Sequence, residues 1–527
     1  MKKFALVFMI CISNLLSAYT QPQKIQLSKD YNIEKQKPPI VIGEDEKGLV
    51  AYHTFLKDEK IILELGYLNN EFEWSESMNI ELDSLYDSPI VEKIEYDNGE
   101  FLIFIEELLI GKSNEVENVT DVDWGETTVS AIKANINTGE FSDVRQIMSF
   151  QTIIELGHNT TLPEIEISNN HNFYCIWYQE VKFNESISVY YVTMNDEMEI
   201  VNTVTHIEQE PKGMDITINE FDISNNGEVS FLVATKFYPV RKMRPEDDVT
   251  VLYFDKESSE GKRIKLEFND KSYFVTENGC TKSFDDNGRI ILAGGYSEGT
   301  KYYPVGVFYV VMQPQNNVSE FKYLDLFSQE TILKWFTEEK DKQKAIKSFA
   351  KNKSVPLRKL EAKKCIFNKD GSLIVVFEQE YFADLEGLNT VIGDLIFVKF
   401  SADGSNVHWE YLLEKKQEMN LNDLYRYECR FNVEVNDDGD CFVIYNEGDY
   451  FDEINLDELE ENGEHSIPNL VLVKISALGK EEFNDVILKS EEEGVIFDPA
   501  SLRMVGNEKI YFWGKYSSNG VFAIIDI

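Results

Sequence analysis

Alternating apolar and polar residues mark short segments along the whole chain, and this period of two indicates β-strands. Residues 429–435 alternate without a fault, and the turn at residues 436–439 follows them. The apolar runs 441–445 and 470–475 predict a second and a third strand. The more polar segment 483–489 then completes a unit of four strands.

The same kind of unit recurs roughly every 66 residues between residues 48 and 508. Its landmark is a tight turn rich in Asp, Asn and Gly, residue types that tolerate positive φ. An apolar segment follows each copy of the turn. The copies lie at residues 45–48, 96–99, 168–171, 224–227, 285–288, 368–371, 436–439 and 506–509, and the third and last of them are degenerate.

Seven or eight copies of a four-stranded antiparallel unit resemble the β-propeller superfamily, whose blades form a closed ring. The chain is therefore expected to be all-β, with eight blades favoured over seven and a two-sheet sandwich array as the structural alternative. The last unit, 497–527, shows only three strands, so residues 24–27 are predicted to supply its fourth. The WD40 and kelch signatures are absent, and no family's functional residues are carried over.

The N-terminus has the pattern of a secretory signal peptide over residues 1–18. Lys2 and Lys3 precede an apolar run, residues 4–16, and Ala18 supplies a small residue for cleavage. Residues 19–527 are expected to form one domain, a monomer that acts outside the cytoplasm, either extracellular or periplasmic. No later apolar run is long enough to predict a membrane-spanning helix.

The net charge of −43 is unfavourable for binding nucleic acid and favours solubility. Five of the six cysteines remain after cleavage, and their spacing shows no C-x-x-C pair and fits no zinc site. One disulfide stays possible. No metal, cofactor or nucleic-acid partner is predicted from these patterns.

Aromatic residues recur in the predicted loop between the second and third strands of several units. A ring of aromatics at one channel mouth would stack on sugars or hold a peptide, whereas the alternative is that each pair packs under its own loop. These candidate binding residues are Trp124, Phe237, Tyr238, Tyr302, Tyr303, Tyr381, Phe382, Tyr450 and Phe451.

A helical insertion is predicted at about residues 328–353, with Ser328 as its N-cap. Lysine and arginine are concentrated between residues 334 and 364, in contrast to the acidic remainder of the chain. This basic segment either binds an anionic partner or pairs with the acidic surface of the protein itself.

Two functions of different classes remain open. The first is a secreted, non-enzymatic propeller that binds a peptide, protein or glycan through its long-loop face. The alternative is a propeller hydrolase or lyase that acts on extracellular polysaccharide, with catalytic residues that cannot be selected from 94 acidic residues without geometry. Two carboxylates that converge with a His or Tyr at the channel would indicate the enzyme.

Overall fold

Eight four-stranded antiparallel sheets follow one another along the chain and form a ring, as a computed structural model of the protein shows. The prediction of an eight-bladed β-propeller is therefore confirmed. The structure describes residues 25–27, 31–32, 39–69, 72–84, 89–110, 123–155, 158–182, 185–210, 214–237, 248–270, 272–275, 279–299, 303–316, 318–358, 360–382, 389–415, 417–420, 431–451, 469–488, 496–497, 499–505, 509–516 and 519–526.

In each blade the first strand lies next to the central channel and the fourth lies at the outer edge. Blade 1 consists of Ile40–Asp45, Gly48–Lys57, Lys60–Leu68 and Trp74–Glu81. Blade 2 consists of Pro89–Asp97, Glu100–Ile110, Asp123–Asn135 and Arg145–Glu155. Blade 3 consists of Glu164–Ile167, Phe173–Lys182, Ser186–Asn195 and Ile200–Gln209. Blade 4 consists of Met214–Ile223, Val229–Phe237, Asp248–Phe254 and Lys262–Lys265.

The second half of the ring repeats this order. Blade 5 consists of Cys280–Phe284, Ile290–Glu298, Gly306–Gln313 and Val318–Leu326. Blade 6 consists of Leu360–Phe367, Leu373–Phe382, Asn389–Phe400 and Val407–Leu413. Blade 7 consists of Phe431–Val435, Cys441–Phe451, Asn469–Ile475 and Glu481–Leu488. Blade 8 consists of Arg503–Val505, Lys509–Tyr516, Asn519–Asp526 and Ile25–Leu27.

Short accessory elements connect or extend the blades. The extra strands are Tyr31–Asn32, Glu140–Phe141, His158–Thr160, Tyr273–Phe274, Gln417–Asn420 and Ile496–Phe497. Single 3-10 turns occur at Leu82–Ser84, Pro314–Asn316 and Pro499–Ser501.

The two ends of the chain meet in blade 8. Ile25 pairs with Ile525 and Leu27 pairs with Ala523 in an antiparallel ladder. The N-terminal strand thus covers the edge that the C-terminal strand would otherwise leave open, as the sequence predicted.

The turn between the first two strands of a blade ends on a residue whose backbone lies in the left-handed region, with positive φ. Gly99 has a φ of 89° and Gly439 one of 82°, a region that glycine enters without a steric cost. In the degenerate turn of blade 3, His171 takes this conformation with a φ of 56°. The weak copy in the sequence is therefore a true turn of the same kind.

The core lies between the faces of neighbouring blades. Cys175 and Trp177 of blade 3, for example, pack with Phe221 and Phe231 of blade 4. Four cysteines, Cys175, Cys280, Cys365 and Cys441, are free thiols, whereas Cys429 lies outside the described residues.

The helical insertion consists of α1, Gln329–Trp335, and α2, Glu339–Phe349. Ser328 caps α1, since its side chain accepts a hydrogen bond from the N–H of Thr331. Trp335 is buried in the core between blades 5 and 6, whereas Ile346 is largely exposed. None of the helices in the described part of the chain is long and apolar enough to cross a membrane.

Two ion pairs of the insertion lie within its own helices in the described part of the chain. Lys334 pairs with Glu330 at 2.9 Å, and Lys344 pairs with Asp341 at 2.6 Å. These contacts link neighbouring turns of one helix and do not join the insertion to a blade. Its attachment to the propeller rests instead on apolar burial at Trp335 and Ile332.

The ring closure makes a testable prediction. Deleting residues 19–30 is expected to expose the edge strand Asn519–Asp526, to lower the melting temperature and to promote aggregation, because unpaired edges template association. A deletion of residues 19–23 is the matched control, since it keeps Ile25–Leu27. Differential scanning fluorimetry and light scattering measure both effects. Identical behaviour of the two deletions would contradict closure by this strand.

Candidate functional site

The inner strand of each blade has one edge that no other strand of the sheet covers, and polar side chains from the preceding blade bond to it. Glu220 of blade 4 accepts the N–H of Lys282 in blade 5 at 2.7 Å. Asp222 accepts the N–H of Phe284 at 2.8 Å. These two carboxylates therefore provide the hydrogen bonds that a neighbouring strand would provide elsewhere.

Lysine side chains donate hydrogen bonds to backbone carbonyl groups at other junctions between blades. Lys93 of blade 2 donates to the carbonyl of Ile165 in blade 3 at 3.1 Å. Lys364 of blade 6 donates to the carbonyl of Val433 in blade 7 at 2.8 Å. These four charged residues of the inner strands thus have a structural task, and a functional residue has to be sought among the others.

Glu92 and Glu106 of blade 2 are such an exception, because their carboxyl groups hydrogen-bond to each other. Glu92 lies in the inner strand, at a bulge where the register shifts between Val91 and Lys93. A bulge leaves one residue outside the ladder and redirects its side chain. Glu92 is exposed, whereas Glu106 on the second strand is only 2% exposed.

This arrangement raises the pKa of Glu106 to about 7. Burial is the largest cause, followed by the hydrogen bond with Glu92 and by the negative charge of Glu92. Glu106 therefore keeps its proton to a higher pH than an ordinary glutamic acid does. A buried proton donor beside an exposed carboxylate is an arrangement suited to acid–base chemistry.

Tyr52 and Arg503 complete the group from the two preceding blades. Tyr52 lies on the second strand of blade 1, opposite the first residue of its inner strand, and Arg503 begins the inner strand of blade 8. Burial raises the pKa of Tyr52 to about 12, while Arg503 acts to lower it and Glu92 to raise it. The tyrosine therefore lies within electrostatic reach of both charges and remains a neutral hydroxyl at physiological pH.

A second charged cluster lies across blades 3 to 5. Burial is the largest cause that raises the pKa of Glu166 to about 7, and Asp222 and Lys282 act on the same carboxyl group. Lys282 is buried, and within the described residues its amino group makes no hydrogen bond. Glu220 and Asp222, which lie beside Lys282, already accept N–H groups of blade 5. The cluster is therefore less free to bind a ligand.

Most of the described aromatic residues that were predicted as a binding mouth lie in strands, and Tyr303 is the exception within the described residues. Phe237, Tyr381 and Phe382, and also Tyr450 and Phe451, extend the second strands of their blades. Trp124 lies in the third strand of blade 2, and the half-buried Tyr303 precedes the third strand of blade 5. Tyr238 and Tyr302 lie outside the described residues. The second strands of blades 4, 6 and 7 thus run further than the turn signals indicated, while the binding role of these aromatic residues stays a prediction.

The sequence analysis missed Glu92, Glu106, Tyr52 and Arg503. One signal for the first of them was available, since strict alternation breaks where Glu92 and Lys93 follow each other as two polar residues in a strand. Such a break is the mark that a bulge leaves in a sequence. Within the described ranges, no three His, Cys, Asp or Glu side chains are grouped so that they could hold an ion.

No family model and no curated protein matches the chain. Solved structures do match. A polysaccharide lyase is 10% identical, with 96% of this chain and 93% of that chain covered and a TM-score of 0.34. An alpha-L-arabinanase from Penicillium chrysogenum is 10% identical over 67% of this chain and 94% of that chain, with a TM-score of 0.27. A sialidase from Streptococcus pneumoniae is 10% identical over 96% of this chain and 71% of that chain, with a TM-score of 0.26. Likenesses of this size concern the fold and assign no activity.

The expectation of a non-enzymatic binding protein is wrong. Two carboxyl groups, those of Glu92 and Glu106, converge with Tyr52 at the inner strands of blades 1 and 2. That convergence is the mark by which the sequence analysis separated an enzyme from a binding module. The alternative stated there, a hydrolase or lyase, therefore remains as the hypothesis.

The raised pKa of Glu106 predicts how stability changes with pH. The folded state keeps a proton that the unfolded state releases between about pH 4.5 and pH 7, so stability falls as pH rises through this window. Glu106→Gln removes this dependence. At each pH the free energy of unfolding of the variant is compared with that of the native protein. This difference is expected to favour the variant by on the order of 2 kcal/mol more at pH 8 than at pH 5. Urea unfolding at both pH values measures it.

Glu107→Gln is the matched control for this measurement, because its side chain points to the opposite face of the same strand. It is expected to change stability equally at both pH values. If Glu106→Gln also shows no difference between pH 5 and pH 8, the shared proton is not present.

Proposed function

We propose that the protein is an extracellular enzyme that cleaves a polysaccharide, with Glu92 and Glu106 as its acid–base pair. The observation that carries this proposal is the hydrogen-bonded carboxyl pair at the channel, in which Glu106 has a pKa of about 7. An acid with a pKa near the working pH is both protonated and able to transfer its proton. Export through the predicted signal peptide, residues 1–18, is part of the same proposal.

The spacing of the two carboxyl groups favours a lyase over a hydrolase. Glycoside hydrolases place their two carboxyl groups about 5 to 5.5 Å apart when retaining and about 6.5 to 9.5 Å apart when inverting. Glu92 and Glu106 are within hydrogen-bond distance of each other, which leaves no room for a sugar or a water between them. A syn elimination takes a base and an acid on one side of the sugar, and an adjacent pair supplies both.

Each proton of the proposed elimination has a defined route. The carboxylate of Glu92 removes the proton from the ring carbon next to the carboxyl group of a uronic acid. The bond from the neighbouring carbon to the glycosidic oxygen breaks, a carbon–carbon double bond forms, and Glu106 gives its proton to the departing oxygen. Proton transfer from Glu92 to Glu106 through their hydrogen bond then restores the resting pair. Arg503 offsets the negative charge that develops on the sugar carboxylate.

Substitution of either carboxyl group tests the assignment. Glu106→Gln and Glu92→Gln are each expected to lower turnover by at least about 100-fold, the smaller end of what acid–base groups contribute. Glu107→Gln serves as the control and should retain activity. The assay incubates a panel of uronic-acid polysaccharides with the protein and follows the ultraviolet absorbance of the unsaturated product.

The same assay separates the alternatives. New reducing ends without ultraviolet absorbance would identify a hydrolase and contradict elimination. Native activity in both glutamine variants would place the catalytic groups elsewhere in the channel. In the native enzyme, activity should fall as pH rises above about 7, because Glu106 then loses the proton that it donates.

The aromatic residues at the ends of the second strands are proposed to hold the sugar chain. Tyr381→Ala and Tyr450→Ala are each expected to raise KM by about tenfold. The reason is that stacking of one sugar ring on an aromatic side chain contributes roughly 1 kcal/mol or more to binding. If these residues instead pack under their own loops, stability should fall by roughly 2 to 4 kcal/mol. A stability loss with an unchanged KM would decide for packing. Thermal unfolding and steady-state kinetics of the same preparations measure both quantities.

A further inference from the structure

A cleft of about 500 Å³ lies at the outer edge of the propeller, between helix α1 and the fourth strands of blades 5 and 6. Its volume falls within the roughly 300 to 1,000 Å³ of small-molecule sites. The cleft is built from other blades than Glu92 and Glu106, so it is a different site from the proposed catalytic pair. Its lining combines aromatic rings with carboxylates.

The two aromatic rings of the cleft, Tyr323 and Trp409, are held in place by neighbouring blades. The indole N–H of Trp409 donates to the carbonyl of Ala477 in blade 7 at 3.0 Å. Gly479 lies directly against the indole, since a Cβ atom at this position would come within 2.4 Å of its Cγ. The ring of Tyr323 packs edge-on against Phe400, with centroids 5.7 Å apart. Rings fixed in this way need little reordering when a ligand binds.

The charge of the lining is negative. Asp325, Glu330 and Glu410 face a single lysine, Lys334, whose amino group lies 2.9 Å from Glu330. Glu410 accepts the N–H of Ser328 at 3.1 Å and keeps acceptor capacity, because a carboxylate offers about four lone-pair sites. Burial is the first cause of the raised pKa of Tyr323, and the charges of Asp325 and Glu410 add to it.

We propose that this cleft binds an amino sugar of a polysaccharide through its free ammonium group. Carboxylates beside aromatic faces attract an organic cation both by charge and by the ring quadrupole. The aromatic rings of Tyr323 and Trp409 line the same cleft and suit the flat apolar face of a sugar ring, and the carboxylates can accept hydrogen bonds from its hydroxyl groups as well. The inference rests on the proposed function only in taking a glycan as the ligand.

Calorimetric titration with two matched ligands tests the inference. Glucosamine oligosaccharides carry free amino groups, and N-acetylglucosamine oligosaccharides of equal length have the same rings without the charge. The full-length Glu106→Gln protein is used so that no cleavage accompanies binding. The glucosamine oligosaccharide is expected to bind at least about tenfold more tightly, the effect of one charge-assisted hydrogen bond.

Asp325→Asn identifies the site, because it removes the charge and keeps an oxygen that can accept the N–H of Leu326. It is expected to weaken binding of the glucosamine oligosaccharide by about tenfold. Asp485→Asn is the matched control. Asp485 lies exposed on the outer strand of blade 7, outside the cleft, and its substitution changes the net charge equally.

Equal affinity for the two oligosaccharides, or equal loss in Asp325→Asn and Asp485→Asn, would overturn the proposal. A lysine-rich peptide that binds with the same dependence on Asp325, while the glucosamine oligosaccharide does not bind, would assign the cleft to a protein partner instead. Failure of the catalytic proposal remains distinguishable. It would appear as unchanged turnover in Glu106→Gln, whereas the binding measured here involves no turnover.

Discussion

The open edge of the inner strands is the constraint on which this propeller depends. A ring of sheets leaves one edge of each blade facing the channel, where N–H and C=O groups need partners. Glu220 and Asp222 accept N–H groups of the next blade, and Lys93 and Lys364 donate to its carbonyl groups. Side chains of one blade therefore stabilise the backbone of the next, and the direction of this support is the same at each of these junctions.

Bulges decide whether an inner-strand residue is structural or free to react. In blade 4 the register shifts between Asn219 and Asp222, and the carboxylates near that shift reach the backbone of blade 5. In blade 2 the shift at Glu92 turns its carboxylate toward Glu106 instead. The same irregularity thus anchors a neighbouring blade at one position and creates a proton-sharing pair at another. The difference follows from which groups lie opposite the bulge.

The architecture was predictable because it depends on local signals. Glycine turns such as that at Gly439 and the apolar second strands repeat often enough to reveal eight units, and the missing strand of blade 8 pointed to residues 24–27. The carboxyl pair was not predictable, because its partners are brought together by a register shift between two strands and by the burial of Glu106. The lengths of the second strands were not predictable either, since Tyr381 and Tyr450 continue these strands without a change in pattern.

The negative net charge of the protein repels the proposed anionic substrate at long range, but this repulsion does not decide binding at the site. A net charge of −43 repels a uronic-acid polymer, yet at physiological ionic strength charges are screened beyond about 8 Å. At the inner strands, Arg503 lies within electrostatic reach of Tyr52 and Lys364, where the carboxyl groups of Glu92 and Glu434 also act. Burial also strengthens each interaction there. The acidic exterior therefore governs solubility and weak attraction of cationic groups, while the residues of the inner strands determine which charge the channel accepts.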